Sequence, residues 1–166
     1  MATLAAISVE DFLALPDNGL MEYLDGEIVE RPLSSKSHNR AIANLIHFFR
    51  VEESRLRIYG YPTQHIPVNS RRYRVPDFVA YADSIPEGEI PAEPPLIVVE
   101  VLSPSDTLSS IRDRFAEYRE FGVRHIYLAD PAVRTLQRHE NGSLLQVDAI
   151  DIPSHGFRLA ARMIFE

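Results

Sequence analysis

Asp77 and Glu100 are the residues whose setting calls for chemistry. Each belongs to a short apolar run: Arg74-Val75-Pro76-Asp77-Phe78-Val79-Ala80-Tyr81 and Pro95-Leu96-Ile97-Val98-Val99-Glu100-Val101-Leu102-Ser103-Pro104. Runs dense in β-branched residues, the second closed by a Ser-Pro break, read as strands buried on both faces. An ionised carboxylate there is costly unless something pairs with it, and a bound cation is an effective partner. Two acids on strands separated by a hairpin-like excursion can meet across adjacent strands. Hard oxygen ligands converging in this way suit Mg²⁺. Each acid also has a plain structural role open to it, Asp77 capping a turn after Pro76 and Glu100 pairing with an arginine. Together, in this order, they favour the metal.

The elements around them must bring the two acids together. Ser8 can cap a short helix whose first turn carries Glu10 and Asp11, and Pro16-Asp17-Asn18-Gly19 ends it. Met21 to Arg31 reads as a hairpin about Asp25-Gly26, a two-residue turn that tolerates positive φ. If Leu24 pairs with Glu27, alternation puts Glu22, Leu24, Glu27 and Val29 on one face, where two acids can serve a cation or simply line a solvated edge. After the loop Pro32 to Lys36, a longer helix starts at Ser37, with Ile42, Leu45, Ile46 and Phe49 at helical spacing. His38 continues that stripe toward the helix N-terminus, either as a hydrogen-bonded core histidine or near the floor of a site. Gly60-Tyr61-Pro62 is expected to turn, and Gln64 to Val68 to form a short strand.

Arg71, Arg72 and Arg74 form the densest basic cluster, read either as a charged strand edge or as phosphate contacts. Ser84 to Pro94 is an exposed connector. Ser105 is expected to cap a helix running to Phe121 and stopped by Gly122, with Leu108, Ile111, Phe115, Tyr118 and Phe121 as its apolar stripe. Arg114 falls within that inward arc, so it needs a partner, and Glu100 on the preceding strand is the obvious one. His125 to Asp130 is the next buried strand, giving a right-handed crossover and a parallel pair. Thr135 to His139 and Ser143 to Val147 flank Asn141-Gly142 as a hairpin, and the tail to Glu166 packs last.

Composition limits what this assembly can do. With 166 residues the chain suits a single domain, residues 1–166. It has no cysteine, which rules out disulfides, thiolate metal sites and cysteine nucleophiles. No run is long and apolar enough to span a membrane, and the start lacks a signal-peptide pattern, so a cytoplasmic protein is expected. A net charge of −7 argues against broad attraction to nucleic acid but not against a local basic groove. Lys36 is the only lysine among 17 basic residues.

In order along nearly the whole chain, several stretches resemble the Uma2-like endonuclease family. This family, also called domain of unknown function 820, lies within the PD-(D/E)XK restriction-endonuclease-like superfamily. The matching stretches are Met21-Glu22-Tyr23-Leu24-Asp25-Gly26-Glu27, Ser37-His38, Arg74-Val75-Pro76-Asp77, Val99-Glu100-Val101-Leu102-Ser103-Pro104-Ser105, Tyr118 with Gly122-Val123, and Ile126-Tyr127-Leu128-Ala129-Asp130-Pro131. The resemblance implies an α/β (α+β) fold, with a restriction-endonuclease-like mixed central sheet flanked by helices and hairpin additions. It implies a Mg²⁺-dependent (or Mn²⁺-dependent) phosphodiesterase acting on DNA. Asp77 and Glu100 would be its metal-binding acids, the Val101 main-chain carbonyl a further ligand, Glu22 the upstream catalytic acid, and Glu27 and His38 accessory groups. Arg71, Arg72 and Arg74 would contact nucleic acid. Cleavage of both strands needs two active sites, so a homodimer is expected.

The chain departs from the pattern at one point. Leu102 stands where the superfamily signature has a lysine two residues after the second acid, and Arg114 aligns with the lysine that the following helix often supplies instead. A guanidinium can stabilise charge but hardly deprotonates, so Arg114 is a poor base. Lys36 lies in a loop without motif support. Three readings follow: an active endonuclease, a degenerate nuclease fold that binds nucleic acid or protein without cutting, and an unrelated module.

Overall fold

The two acid-bearing runs fold as neighbouring strands in the middle of a mixed sheet. The computed structural model describes residues 7–16, 19–32 and 34–166. In chain order, helix α1 (Val9–Leu13) leads to the hairpin strands β1 (Met21–Leu24) and β2 (Glu27–Glu30), and then to helix α2 (Lys36–Leu56). Strands β3 (Ile58–Pro62), β4 (Ile66–Asn69), β5 (Arg72–Arg74), β6 (Phe78–Ala82) and β7 (Ile97–Val101) precede helix α3 (Leu108–Phe121). Then come β8 (His125–Asp130), β9 (Thr135–Glu140), β10 (Ser143–Val147), β11 (Ala149–Ile152), β12 (Phe157–Ala160) and helix α4 (Ala161–Ile164).

The main sheet has the order β10-β9-β8-β7-β6-β3. Strands β7 and β8 run parallel because α3 carries the chain back between them, and the other pairs are antiparallel. A second, antiparallel sheet has the order β2-β1-β5-β4, and β11 pairs with β12. This is the mixed α+β architecture expected, with helices against the central sheet.

Alternation along the central strands divides the core between the two sheet faces. Phe78, Ala80, Ile97 and Val99 pack with Ala41, Leu45 and Phe49 of α2. Val79, Tyr81, Val98 and Ile126 pack with Ile111, Phe115 and Tyr118 of α3. On the α2 side, Phe49 lies 4.9 Å from Phe78 and 4.6 Å from Phe157 between ring centroids. Tilted aromatic contacts of this kind are each worth about 0.5–1.5 kcal/mol beyond burial.

Local signals place most boundaries. The Ser8 hydroxyl accepts the Asp11 N–H at 3.0 Å and caps α1. Asp25 and Gly26 both take positive φ, +54° and +100°, and set the β1–β2 register so that Glu22 faces Val29 and Leu24 faces Glu27. Asn141 and Gly142 do the same between β9 and β10. Gly122, at φ +112°, ends α3 as expected.

Three expectations change. Gly60-Tyr61-Pro62 is strand, not turn, and pairs antiparallel with β6 at the edge of the main sheet. A Cβ on Gly60 would lie 2.7 Å from the Phe78 ring, so glycine there admits close approach rather than a bend. Helix α3 begins at Leu108, capped by Thr107 in a reciprocal box with Ser110. Residues 103–106 form a separate turn instead, held by the Ser103 N–H donating to Asp106 at 2.8 Å. Leu108 is 70% exposed and lies outside the buried stripe. The tail holds more structure than a last packing element, since the β11–β12 hairpin precedes α4. The expected stop at Asp17-Asn18 and the loop residue Leu33 lie outside the described residues. Among the described residues, no helix is long and apolar enough to cross a membrane.

Candidate active site

The β6–β7 register pairs Val79 with Val98 and Phe78 with Val99. One step further along the same register sets Asp77 against Glu100, and alternation turns both toward the α3 side of the sheet. The Val101 N–H, at the end of β7, donates to Asp77 Oδ2 at 2.7 Å and fixes that carboxylate at the strand mouth. Both acids are buried, at 2% and 1% exposure. Asp77 opens on a cleft of about 660 Å³ also lined by Glu22, Arg31, His38, Asp106 and Arg114.

Cations from two directions bind these acids. Arg31, just past β2, puts Nη2 3.0 Å from Asp77 Oδ1 and 3.6 Å from Glu100 Oε2. Its Nη1 donates to the Val75 carbonyl. From α3, Arg114 Nη1 lies 3.5 Å from Glu100 Oε2, as its inward placement implied, while Nη2 pairs with Asp106. The Tyr118 hydroxyl, one turn on, donates to Glu100 Oε1 at 2.5 Å. His38 Nε2 sits 3.3 Å from Asp77 Oδ2, at the capped N-terminus of α2.

The two acids differ in their hold on a proton. Burial pushes Glu100 up to about 7, with the Asp77 charge adding to the rise, and Arg114, Arg31 and Tyr118 only partly offset it. Burial also opposes ionisation of Asp77, but His38, Arg31 and the Val101 N–H outweigh it and hold this carboxyl below its ordinary value. His38 is held above its ordinary value, because the Asp77 carboxylate outweighs the effect of burial.

Glu100 Oε2 is buried and takes no hydrogen bond despite its two arginine neighbours. That oxygen keeps its lone pairs available to a cation. Among the described residues no cluster of three or more His, Asp or Glu side chains converges on one point. The protein would thus contribute two hard carboxylates, with water or substrate oxygens completing the shell. That donor set fits Mg²⁺ or Mn²⁺ better than a metal needing an all-protein cage.

The remaining expected residues take other places. Glu22 is buried and lines the cleft, but its oxygens accept from Arg74 Nη1 at 2.8 Å and from the Val75 N–H at 3.2 Å. Glu27 is exposed and does not line the cleft, although its cross-strand partner Leu24 does. Arg74, expected among phosphate contacts, is buried between Glu22 and Glu117, with Nε 2.6 Å from Glu117. Arg72 pairs with Asp25 at 2.5 Å and with Glu117. Their charges are already matched and both tie the small sheet to α3, while Arg74 also lines the cleft. Only Arg71 is open, its side chain 70% exposed and 3.6 Å from Asp25.

Arg31, Asp106, Glu117 and the Tyr118 hydroxyl were absent from the expected site. Tyr118 was within reach of inference: it lies four residues after Arg114 on the inward arc, and a buried phenol seeks an acceptor. Nothing in the spacing around Arg31 marks it.

A crystal structure titled as a "putative nuclease belonging to DUF820" from Anabaena variabilis ATCC 29413 shares the fold. Its TM-score is 0.80 at 18% identity, over 96% of this chain and 97% of that one. No curated protein matches the chain. Residues 9–159 match the Uma2 family, described as "Putative restriction endonuclease", and the chain belongs to that family.

Proposed function

We propose that the protein is a divalent-metal-dependent endonuclease that hydrolyses phosphodiester bonds in DNA. The observation that carries this reading is the pairing of Asp77 with Glu100 at the mouth of β6 and β7, with Glu100 Oε2 buried and free of hydrogen bonds. Membership of a family described as "Putative restriction endonuclease", and a fold shared with a protein titled as a "putative nuclease", support it.

Asp77 and Glu100 would hold Mg²⁺ or Mn²⁺, with the Val101 carbonyl as a further ligand. When bound, that ion supplies Lewis-acid polarisation of the scissile phosphate and makes water a competent nucleophile near neutral pH. His38 and the Val101 N–H orient Asp77 through its Oδ2. Glu22 holds the Val75 N–H, two residues before Asp77, and so fixes the approach of that strand. Arg114 reaches the cleft from α3 and stabilises negative charge on the phosphate, a role that needs no proton transfer from the guanidinium.

One observation favours a second reading. Arg114 is already matched by Glu100 and Asp106, and no lysine takes its place, which suits a nuclease fold that binds without cutting. Plasmid nicking across a Mg²⁺ and Mn²⁺ titration separates the two. The endonuclease reading expects metal-dependent nicks that vanish in Asp77→Ala and Glu100→Ala while circular dichroism stays native. A folded, metal-loaded protein that binds DNA without nicking it would establish the second. Cutting both strands calls for a two-fold dimer, which sedimentation at micromolar concentration would reveal and a monomer at all concentrations would refute.

A further inference from the structure

The guanidinium of Arg31 lies where the two proposed metal ligands converge. Its Nη2 bridges Asp77 Oδ1 at 3.0 Å and Glu100 Oε2 at 3.6 Å, one oxygen from each acid that would hold a shared cation. A divalent ion held by both carboxylates would need the space that Nη2 holds. Two positive charges cannot share it.

We propose that Arg31 is the resident counter-ion of the Asp77–Glu100 pair and that it exchanges places with the divalent cation. The proposal rests on the metal-binding reading above. It explains how two buried carboxylates stay side by side without metal: like charges so placed repel, and Arg31 bridges them while Arg114 touches Glu100 alone. Exchange requires movement, because a guanidinium keeps its proton. The geometry permits movement. Arg31 follows the edge strand β2, its side chain is 15% exposed, and among the described residues its polar side-chain contacts beyond the two acids reduce to one backbone carbonyl, that of Val75. Arg114, by contrast, is anchored by Asp106 and by the Ser110 carbonyl at 3.5 Å within its own helix. Of the two arginines, Arg31 is the one free to leave.

The test measures metal binding, not cleavage. Full-length protein stripped with EDTA is titrated with Mn²⁺ by electron paramagnetic resonance and with Mg²⁺ by calorimetry. Arg31→Met keeps the apolar stem and removes the charge, and it should bind Mn²⁺ ~10–100-fold more tightly, the range over which outer-sphere partners shift metal affinity. Its metal-free melting temperature should fall, and saturating metal should restore more of it than in the wild type. In case Arg31→Met folds poorly, the wild type provides a second readout: the arginine Nε–Hε resonance lost in Arg31→Lys should shift when Mg²⁺ is added, and should stay fixed in Asp77→Asn. Equal or weaker Mn²⁺ binding by Arg31→Met, or an Arg31 resonance unmoved at metal saturation, overturns the exchange while leaving the metal site standing. Absence of metal binding in both wild type and Arg31→Met overturns the exchange and the metal reading together.

Discussion

Tyr118 donates its phenolic hydrogen to Glu100 Oε1 at 2.5 Å, both residues fully buried between α3 and β7. The bond makes an aromatic of the α3 stripe part of the acidic site. It also satisfies the oxygen of Glu100 that faces away from Arg31 and Arg114.

Removing that hydroxyl should cost stability and raise the proton affinity of Glu100 at once. Tyr118→Phe leaves Glu100 Oε1 buried without its donor, a loss of about 1–3 kcal/mol by urea denaturation. Glu100 should then keep its proton to a higher pH, so Mn²⁺ binding at neutral pH should weaken. Unchanged stability and unchanged metal affinity would reduce the contact to incidental proximity.

Arg114 stands where the family resemblance implies a lysine, and its role can be read from three proteins. If it stabilises phosphate charge, Arg114→Lys should keep or raise Mg²⁺-dependent cleavage. Arg114→Ala should lose ~10²–10³-fold, the scale for deleting one donor to a developing oxyanion. If lysine proton chemistry is essential, the natural protein is inert and Arg114→Lys switches it on. Equal cutting by wild type and Arg114→Ala would make Arg114 only a structural partner of Glu100 and Asp106.

Glu100 should leave a signature in the pH dependence of stability when metal is absent. In the folded state it holds its proton up to about 7, against an ordinary value of 4.5, chiefly because it is buried. Between those values the folded state binds more protons than the unfolded one, so this group's contribution is present below 4.5 and lost as pH rises to about 7. Asp77 acts oppositely: its folded value lies below 3.8, so its contribution is present above that and lost as pH falls further. In EDTA, the wild type should lose stability relative to Glu100→Gln between pH 4.5 and about 7, while both share the acid loss below 3.8. Parallel curves across the upper window would show that Glu100 titrates normally.

Glu117 on α3 receives Arg72 and Arg74 from β5, and so ties the small sheet to the helix that carries Arg114 and Tyr118. Glu117→Ala leaves buried Arg74 with Glu22 as its remaining carboxylate and should cost about 1.5–3 kcal/mol, the scale for losing hydrogen bonds to a charged group. Arg74→Ala should likewise destabilise without changing how DNA affinity depends on salt, because its charge is matched before DNA arrives. A reduced salt slope in Arg74→Ala would return it to the phosphate contacts.

Local chemistry carried much of the fold into the sequence. The Ile97–Val101 run announced a central strand, Asp25-Gly26 and Asn141-Gly142 their hairpins, and Gly122 the end of α3, because each depends on the φ preference or burial of a few adjacent residues. The partnership of Asp77 and Glu100 was legible too, since two apolar strands interrupted by acids have few other ways to meet. Tertiary structure alone decided which arginine serves which acid. Arg31 lies 46 positions from Asp77, and Arg74 lies 43 from Glu117, so no local pattern could direct the first to Asp77 and the second to Glu117. The same holds for Gly60, whose place in a strand depends on the Phe78 ring packed against it from the neighbouring one. Turns and strands follow from preferences a residue carries with it. Charge pairing and close packing follow from which surfaces meet once the chain has closed on itself.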